Sequence, residues 1–157
     1  MQDNEYFMRK AIDLSLSGMD SDEGGPFGAV IVKSGEIIAQ GNNEVTSKND
    51  PTLHAEIVAI RNACDKLNTY DLSGCTLYTS CEPCPMCLGA VYWARLDKMF
   101  YANTKEDAAR IGFDDEFIYR ELDLNKNERK LTAVQLLHAE ASQVFDKWLK
   151  KADRVEY

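Results

Sequence analysis

Apolar residues near the start of the chain recur every three or four positions, which predicts an amphipathic helix over residues 4–18. The residues that set this spacing are Phe7, Ala11, Leu14 and Gly18. Gly24-Gly25-Pro26 then interrupts the pattern, and two short apolar runs follow over 28–32 and 37–39, separated by Ser34-Gly35. Two such runs joined by turn residues predict a β-hairpin.

The rest of the chain alternates between helical and strand patterns. Asn49-Asp50-Pro51-Thr52 is typical of a helix start, and one apolar helix face follows it: Leu53, Ile57, Ile60, Cys64 and Leu67. The pattern predicts further strands at 75–80, 98–102 and 131–137, and further helices over Pro85 to about Arg95, part of 107–119, and about 138 onward. Alternating strands and helices favour a layered α/β domain with its sheet covered on both faces. We expect one domain over 1–157, in which about 138–157 form a C-terminal helix and tail.

Composition narrows the classes of partner. The 157 residues carry a formal net charge of −8, which would repel polyanions, so we expect a neutral small-molecule substrate and no nucleic acid partner. No apolar run approaches the roughly 18 residues that a membrane span needs. The polar N-terminus resembles neither a secretory signal nor a transit peptide, and we therefore expect a cytoplasmic protein without a membrane partner.

The chain has five cysteines, an odd number, and three of them are clustered: Cys81, Cys84 and Cys87. In a reducing compartment such clustering indicates a metal site or redox chemistry rather than a disulfide framework. Cys64 and Cys75 fall on apolar faces of predicted elements, where cysteine behaves as a small buried hydrophobe.

Two short segments about thirty residues apart carry the chemistry. His54-Ala55-Glu56 followed by Pro83-Cys84-Pro85-Met86-Cys87 reads as H-x-E and then P-C-x-x-C, the pattern of zinc-dependent base deaminases. His54, Cys84 and Cys87 would hold one Zn²⁺ per subunit and leave its fourth position to water. Because two thiolates roughly neutralise the ion, that water needs a base, and Glu56 lies two residues from His54.

Two other metal sites are compatible with the cysteine spacing. A structural zinc site would use four protein ligands, and Cys81 could be the fourth, but Glu56 would then have no task. An iron–sulfur cluster would need a fourth thiolate from Cys64 or Cys75. Cys81 itself is interpreted as a strand-end residue near the metal.

The motifs resemble those of the cytidine deaminase-like superfamily, and the surrounding sequence is similar to the small bacterial guanine deaminases over essentially the whole chain. This resemblance implies an α/β/α fold with a central mixed five-stranded sheet and the hydrolysis of guanine to xanthine and ammonia. The matching stretches are Gly24–Val30, Asn49–Thr52, Thr79–Ala90, Gly112–Asp115 and the terminal Tyr157.

The resemblance also implies roles for single residues. Phe27 would stack on the base, Asn43 would bind the amide edge of guanine, and the backbone at Ala55 and Glu56 would bind a ring oxygen or nitrogen. Asp115 would be a second carboxylate that helps move protons toward the leaving ammonia. Tyr157 would lie over the pocket mouth, supplied by the partner in a homodimer with exchanged tails.

Three other functions are compatible with parts of the pattern. A tRNA adenosine deaminase shares the zinc motif, although such enzymes resemble basic RNA-binding proteins. Guanosine or another aminated ring could replace guanine as the substrate. A non-catalytic, zinc-stabilised interaction module would need the metal ligands but not Glu56.

Overall fold

The computed structural model describes residues 4–157, which form two compact units: the first ends at Glu116 and the second spans Phe117–Tyr157. The first unit contains a four-stranded sheet in the order β2-β1-β3-β4. Its strands are β1 (Gly28–Lys33), β2 (Glu36–Asn42), β3 (Cys75–Cys81) and β4 (Lys98–Asn103). β1 pairs antiparallel with β2 and β3, and β3 pairs parallel with β4, so the sheet is mixed as predicted.

Helices connect and flank these strands. The helices of the chain are α1 (Asn4–Asp20), α2 (Val45–Lys48), α3 (Ala55–Leu67), α4 (Pro85–Trp93), α5 (Lys105–Arg110), α6 (Glu116–Asp123) and α7 (His138–Lys150), with a 3₁₀ turn at Lys126–Glu128. No helix within residues 4–157 is long and apolar enough to cross a membrane.

Alternation along the strands places two apolar clusters on opposite faces of the sheet. Ile31 and Leu77 pair across β1 and β3 and belong to the cluster that packs against α3. Their neighbours Val30 and Tyr78 pair in the same way and pack against Phe7 of α1. Because successive strand residues point to opposite faces, the sheet has a helix on each side, and the α/β class is confirmed.

The predicted fifth strand at 131–137 is wrong, and the sheet has four strands rather than five. The segment has strand-like composition, but no residue of it pairs with another strand among residues 4–157. A strand is defined by hydrogen bonds to a neighbouring strand, so composition alone does not create one.

The second unit, residues 117–157, consists of helices and irregular chain. No residue of α6 or α7 is buried, although both helices carry large apolar side chains. Exposed apolar residues also occur in the irregular segment between these helices: Leu131, Val134, Leu136 and Leu137.

Candidate active site

The three predicted metal ligands come from the starts of two helices. His54 is the residue immediately before α3, and Cys84 is the residue immediately before α4. Pro85 occupies the first turn of α4, where its missing N–H would have no intrahelical partner, and Cys87 follows in the same turn. The thiols therefore lie where the helix dipole favours the thiolate form.

A close approach of backbone brings His54 into place. A Cβ atom on Gly41 of β2 would come within 2.5 Å of the Ala55 carbonyl oxygen, so only glycine lets the start of α3 pack this closely on the sheet. The segment before His54 is a tight turn, because the backbone N–H and the hydroxyl of Thr52 both donate to Asp50 Oδ1, at 2.8 and 2.6 Å. The predicted helix-start signal at 49–52 thus forms this turn, and α3 begins at Ala55.

The three ligand atoms converge on one point. His54 Nδ1 lies 3.5 Å from the Sγ atom of Cys84 and 3.5 Å from that of Cys87. A tetrahedral zinc ion with Zn–N and Zn–S bonds of ordinary length holds its ligand atoms about 3.5–3.8 Å apart. The spacing of the three residues therefore fits Zn²⁺.

A hydrogen bond between Cys84 and Cys87 shifts the pKa values of both thiols in opposite directions. The Cys87 thiol donates a hydrogen bond to Cys84 and lowers the pKa of Cys84 to about 4. The same bond, together with burial, raises the pKa of Cys87. A hydrogen bond with Cys84 raises the pKa of His54. This arrangement favours the thiolate form of Cys84.

Cys81 lies near this group but outside it. Among the described residues, the cluster of potential metal ligands at this site contains His54, Cys84 and Cys87 and no fourth side chain. The Cys81 thiol donates to the Thr104 carbonyl oxygen over 3.6 Å, and burial raises its pKa to about 11. Three ligands with one position open are typical of catalytic rather than structural zinc.

Glu56 lies in the first turn of α3 and is only 6% exposed. Its carboxylate accepts a hydrogen bond from the Thr79 hydroxyl, with 3.3 Å between Oγ1 and Oε1. Burial raises the pKa of Glu56, and a hydrogen bond from its own backbone N–H opposes this shift. A buried carboxyl group beside a metal site, with a raised pKa, is suited to taking up and releasing protons.

The Gly-Gly-Pro loop and the 112–115 segment meet beside this site. The rings of Phe27 and Phe113 pack edge to face, with centroids 5.0 Å apart. Asp115 is half-buried, and its pKa is raised by burial and then by the negative charge of Cys84. Phe27 and Asp115, predicted from separate stretches of sequence, thus belong to one region of the first unit.

Asn43 is buried, and only part of its side-chain amide is available to a ligand. Its Oδ1 atom accepts hydrogen bonds from the backbone N–H groups of Gly25 and Val45, both at 3.2 Å. Two backbone donors fix the orientation of the amide, because Nδ2 could not accept from them. The amide N–H₂ group therefore remains to bind a ligand as a donor, whereas the carbonyl oxygen is already used.

The remaining predicted site residues are Ala55 and Tyr157. Ala55 lies at the first position of α3, where backbone N–H groups have no intrahelical partner. Tyr157 belongs to the second unit, and its place over the pocket mouth stays a prediction. Sequence analysis did not predict the contact of Thr79 with Glu56. The feature that could have indicated it is the single hydroxyl residue among the β3 residues that face α3.

The chain is similar to proteins of one enzyme class. Residues 1–103 match the family model of the cytidine and deoxycytidylate deaminase zinc-binding region. The guanine deaminase of Bacillus subtilis (strain 168) is 53% identical over 154 residues, which cover 98% of this chain and 99% of that protein. The tRNA-specific adenosine deaminase of Aquifex aeolicus is 44% identical over 98 residues, covering 62% of this chain and 64% of that protein.

Solved structures show the same relationship. The crystal structure of Bacillus subtilis guanine deaminase superimposes with a TM-score of 0.97 at 52% identity and covers 99% of both chains. The protein NE0047, solved in complex with 2,6-diaminopurine, superimposes with a TM-score of 0.70 at 38% identity. That match covers 73% of this chain and 64% of the other.

Proposed function

The chain belongs to the cytidine and deoxycytidylate deaminase family of zinc enzymes, within its guanine deaminase branch, and we propose that it hydrolyses guanine to xanthine and ammonia. The observation that carries the proposal is the 53% identity to a guanine deaminase over 98% of the chain. The tRNA-specific adenosine deaminases are less identical to the chain, at 44% for that of Aquifex, so the purine-base reaction is favoured over action on tRNA.

Glu56 is proposed as the proton carrier. His54, Cys84 and Cys87 would hold zinc, which would supply an activated water molecule as the nucleophile. Glu56 accepts a proton as the water oxygen attacks the ring carbon that bears the amino group, and passes it to the adjacent ring nitrogen. The hydroxyl group now on that carbon gives up the second proton of the water, which is transferred to the amino group. The carbon–nitrogen bond then breaks, the hydroxyl oxygen becomes a carbonyl oxygen, and the products are xanthine and ammonia. Its burial and its position in the first turn of α3, two residues from His54, support this role.

Asp115 is proposed as a second carboxylate at the amino group. Its pKa is raised by burial and by the charge of Cys84, which supports a location near the reacting centre. A carboxyl group whose pKa is shifted upward transfers protons more readily near neutral pH. Asp115 would thus assist the departure of ammonia while Glu56 serves the water and the ring nitrogen.

Phe27, Asn43 and Ala55 are proposed to bind the base. The Phe27 ring provides an apolar face for stacking, a contact worth about 1–3 kcal/mol per base. The Asn43 N–H₂ group would donate to a carbonyl oxygen or ring nitrogen of guanine, and the backbone N–H at Ala55 would donate to another acceptor. These contacts suit a purine that presents hydrogen-bond acceptors on its edge.

We further propose a homodimer with exchanged C-terminal tails, in which Tyr157 covers the partner's pocket. The exposed apolar residues of 131–137 and α7 support it, because a second copy could cover them. Deletion of the last four residues should then abolish turnover while zinc content and the mass measured by light scattering stay unchanged. Full activity of the truncated protein would exclude the role of Tyr157.

We propose that this reaction belongs to purine-base breakdown or reuse. The reduced cysteines that the metal site requires support the predicted cytoplasmic location. The net charge of −8 continues to favour a small-molecule substrate over nucleic acid.

One assay tests the proposed reaction. Zinc-loaded protein is incubated separately with guanine, guanosine, adenine, cytosine and cytidine, and ammonia release is measured. Guanine should be deaminated far faster than the others. Release from adenine or cytosine alone would overturn the proposed substrate, and a gel shift with tRNA would favour the adenosine deaminase alternative.

A further inference from the structure

Thr79 is the one hydroxyl residue in the row of β3 side chains that faces α3. Residues two apart in a strand share a face, so Cys75, Leu77, Thr79 and Cys81 form this row. Cys75 and Leu77 belong to the apolar cluster against α3. Thr79 is 1% exposed. A hydroxyl this deeply buried costs free energy unless it finds a partner.

The partner is Glu56, whose Oε1 accepts the Thr79 hydroxyl hydrogen over 3.3 Å. This distance is longer than the roughly 2.7 Å typical of O–H···O bonds, so the bond is weak, but it engages one carboxylate oxygen, Oε1. Holding one carboxylate oxygen leaves the other to carry the proton. The bond thus selects which oxygen of Glu56 is available.

Thr79 is rigidly held. It pairs with Ala29 of β1 on one side and with Tyr101 of β4 on the other, so its strand lies inside the sheet. Threonine is β-branched and restricted about χ1, which keeps the hydroxyl in one direction. A residue of this kind can hold a neighbouring carboxylate in one orientation during repeated turnover.

We propose that Thr79 is a positioning residue that orients Glu56 for proton transfer. The inference rests on the proposed function, in which Glu56 carries the proton. It adds a residue outside both zinc-motif segments to the machinery of the reaction. In this role Thr79 acts through Glu56.

The test compares Thr79→Val and Thr79→Ser with a matched control on the same strand, Thr76→Val. Thr76 lies on the opposite face of β3, half-buried, and pairs with Val32 and Lys98. The measurements are kcat, KM, zinc content and melting temperature, using the aminated base that the wild-type protein deaminates fastest. Misplacement of a catalytic group by about 1 Å can lower the rate up to 10²-fold.

Thr79→Val should lower kcat by about 10-fold or more, with KM within about 2-fold of wild type and one zinc per chain. Thr79→Ser should recover most of the lost kcat, and Thr76→Val should leave it unchanged. In a Glu56→Gln background, Thr79→Val should have no further effect. An unchanged kcat in Thr79→Val, or a loss that Ser does not recover, would overturn the proposal.

A crystal structure of Thr79→Val separates this inference from the proposed reaction. The Glu56 carboxylate should turn away from its wild-type orientation or occupy more than one. An unchanged single orientation would contradict the positioning role even if no base were deaminated. Absence of ammonia release by the wild-type protein would instead refute the proposed function.

Discussion

Phe27 and Phe113 meet edge to face, with ring planes at 87° and centroids 5.0 Å apart. The contact joins the loop before β1 to the segment after α5. Gly25 lies against both rings, and a Cβ there would come within 3.0 Å of Phe113 and 3.1 Å of Phe27. The glycine thus makes room for two aromatic rings, and Phe113 holds the ring that is proposed to stack on the base.

Phe27→Ala should raise KM for guanine by about 5- to 150-fold, because stacking of a base on an aromatic ring contributes about 1–3 kcal/mol. Steady-state kinetics on zinc-loaded protein would measure this change. Phe27→Tyr keeps the ring face and should remain close to wild type. Equal KM values for Phe27→Ala and the wild type would show that the base binds elsewhere.

Glu56→Gln should lower turnover by roughly 10²- to 10⁴-fold, the usual contribution of a positioned acid–base group. Zinc content should stay at one per chain, because Glu56 is not a ligand. Burial raises the pKa of Glu56, so a neutral amide of the same shape should not lower the melting temperature. A non-catalytic zinc module would predict no change in any of these measurements.

Cys84→Ala and Cys87→Ala should each lose bound zinc, because each removes one of three ligands. Metal content after dialysis against a weak chelator would measure the loss. Cys81→Ala is the matched control. Cys81 lies three residues from Cys84, as Cys87 does, but it is outside the ligand group. Loss of zinc from the Cys81 variant would identify a fourth protein ligand and favour a closed structural site.

Local signals were sufficient for most of the first unit and its metal ligands. The hairpin predicted at 28–32 and 37–39 is found as β1 and β2, because its apolar runs and turn are all within a few residues of one another. The H-x-E and P-C-x-x-C spacings identified the three converging residues in the same way. Two features depend on residues that are distant in sequence, and the sequence analysis did not predict them.

The missed features are the state of residues 131–137 and the role of Thr79. Whether a segment pairs as a strand depends on a neighbour that its own composition does not specify. Thr79 contacts Glu56, which is 23 residues away, and threonine is common in strands for other reasons. Such pairings become visible only when the fold brings the residues together.

Asp107→Asn should make the protein less stable near neutral pH but not in strong acid. Asp107 accepts from the Thr104 backbone N–H at 3.0 Å and from its hydroxyl, and these bonds lower the pKa of Asp107 below the usual 3.8. A carboxylate whose pKa is lower in the folded state than in the unfolded state stabilises the fold above its unfolded-state pKa. That stability is lost as pH falls through the folded-state pKa.

The melting-temperature difference between wild type and Asp107→Asn should therefore be constant above about pH 5 and shrink below about pH 4. A difference for Asp107→Asn that persists unchanged at pH 2 would mean that the ionised form of Asp107 contributes nothing to the start of α5.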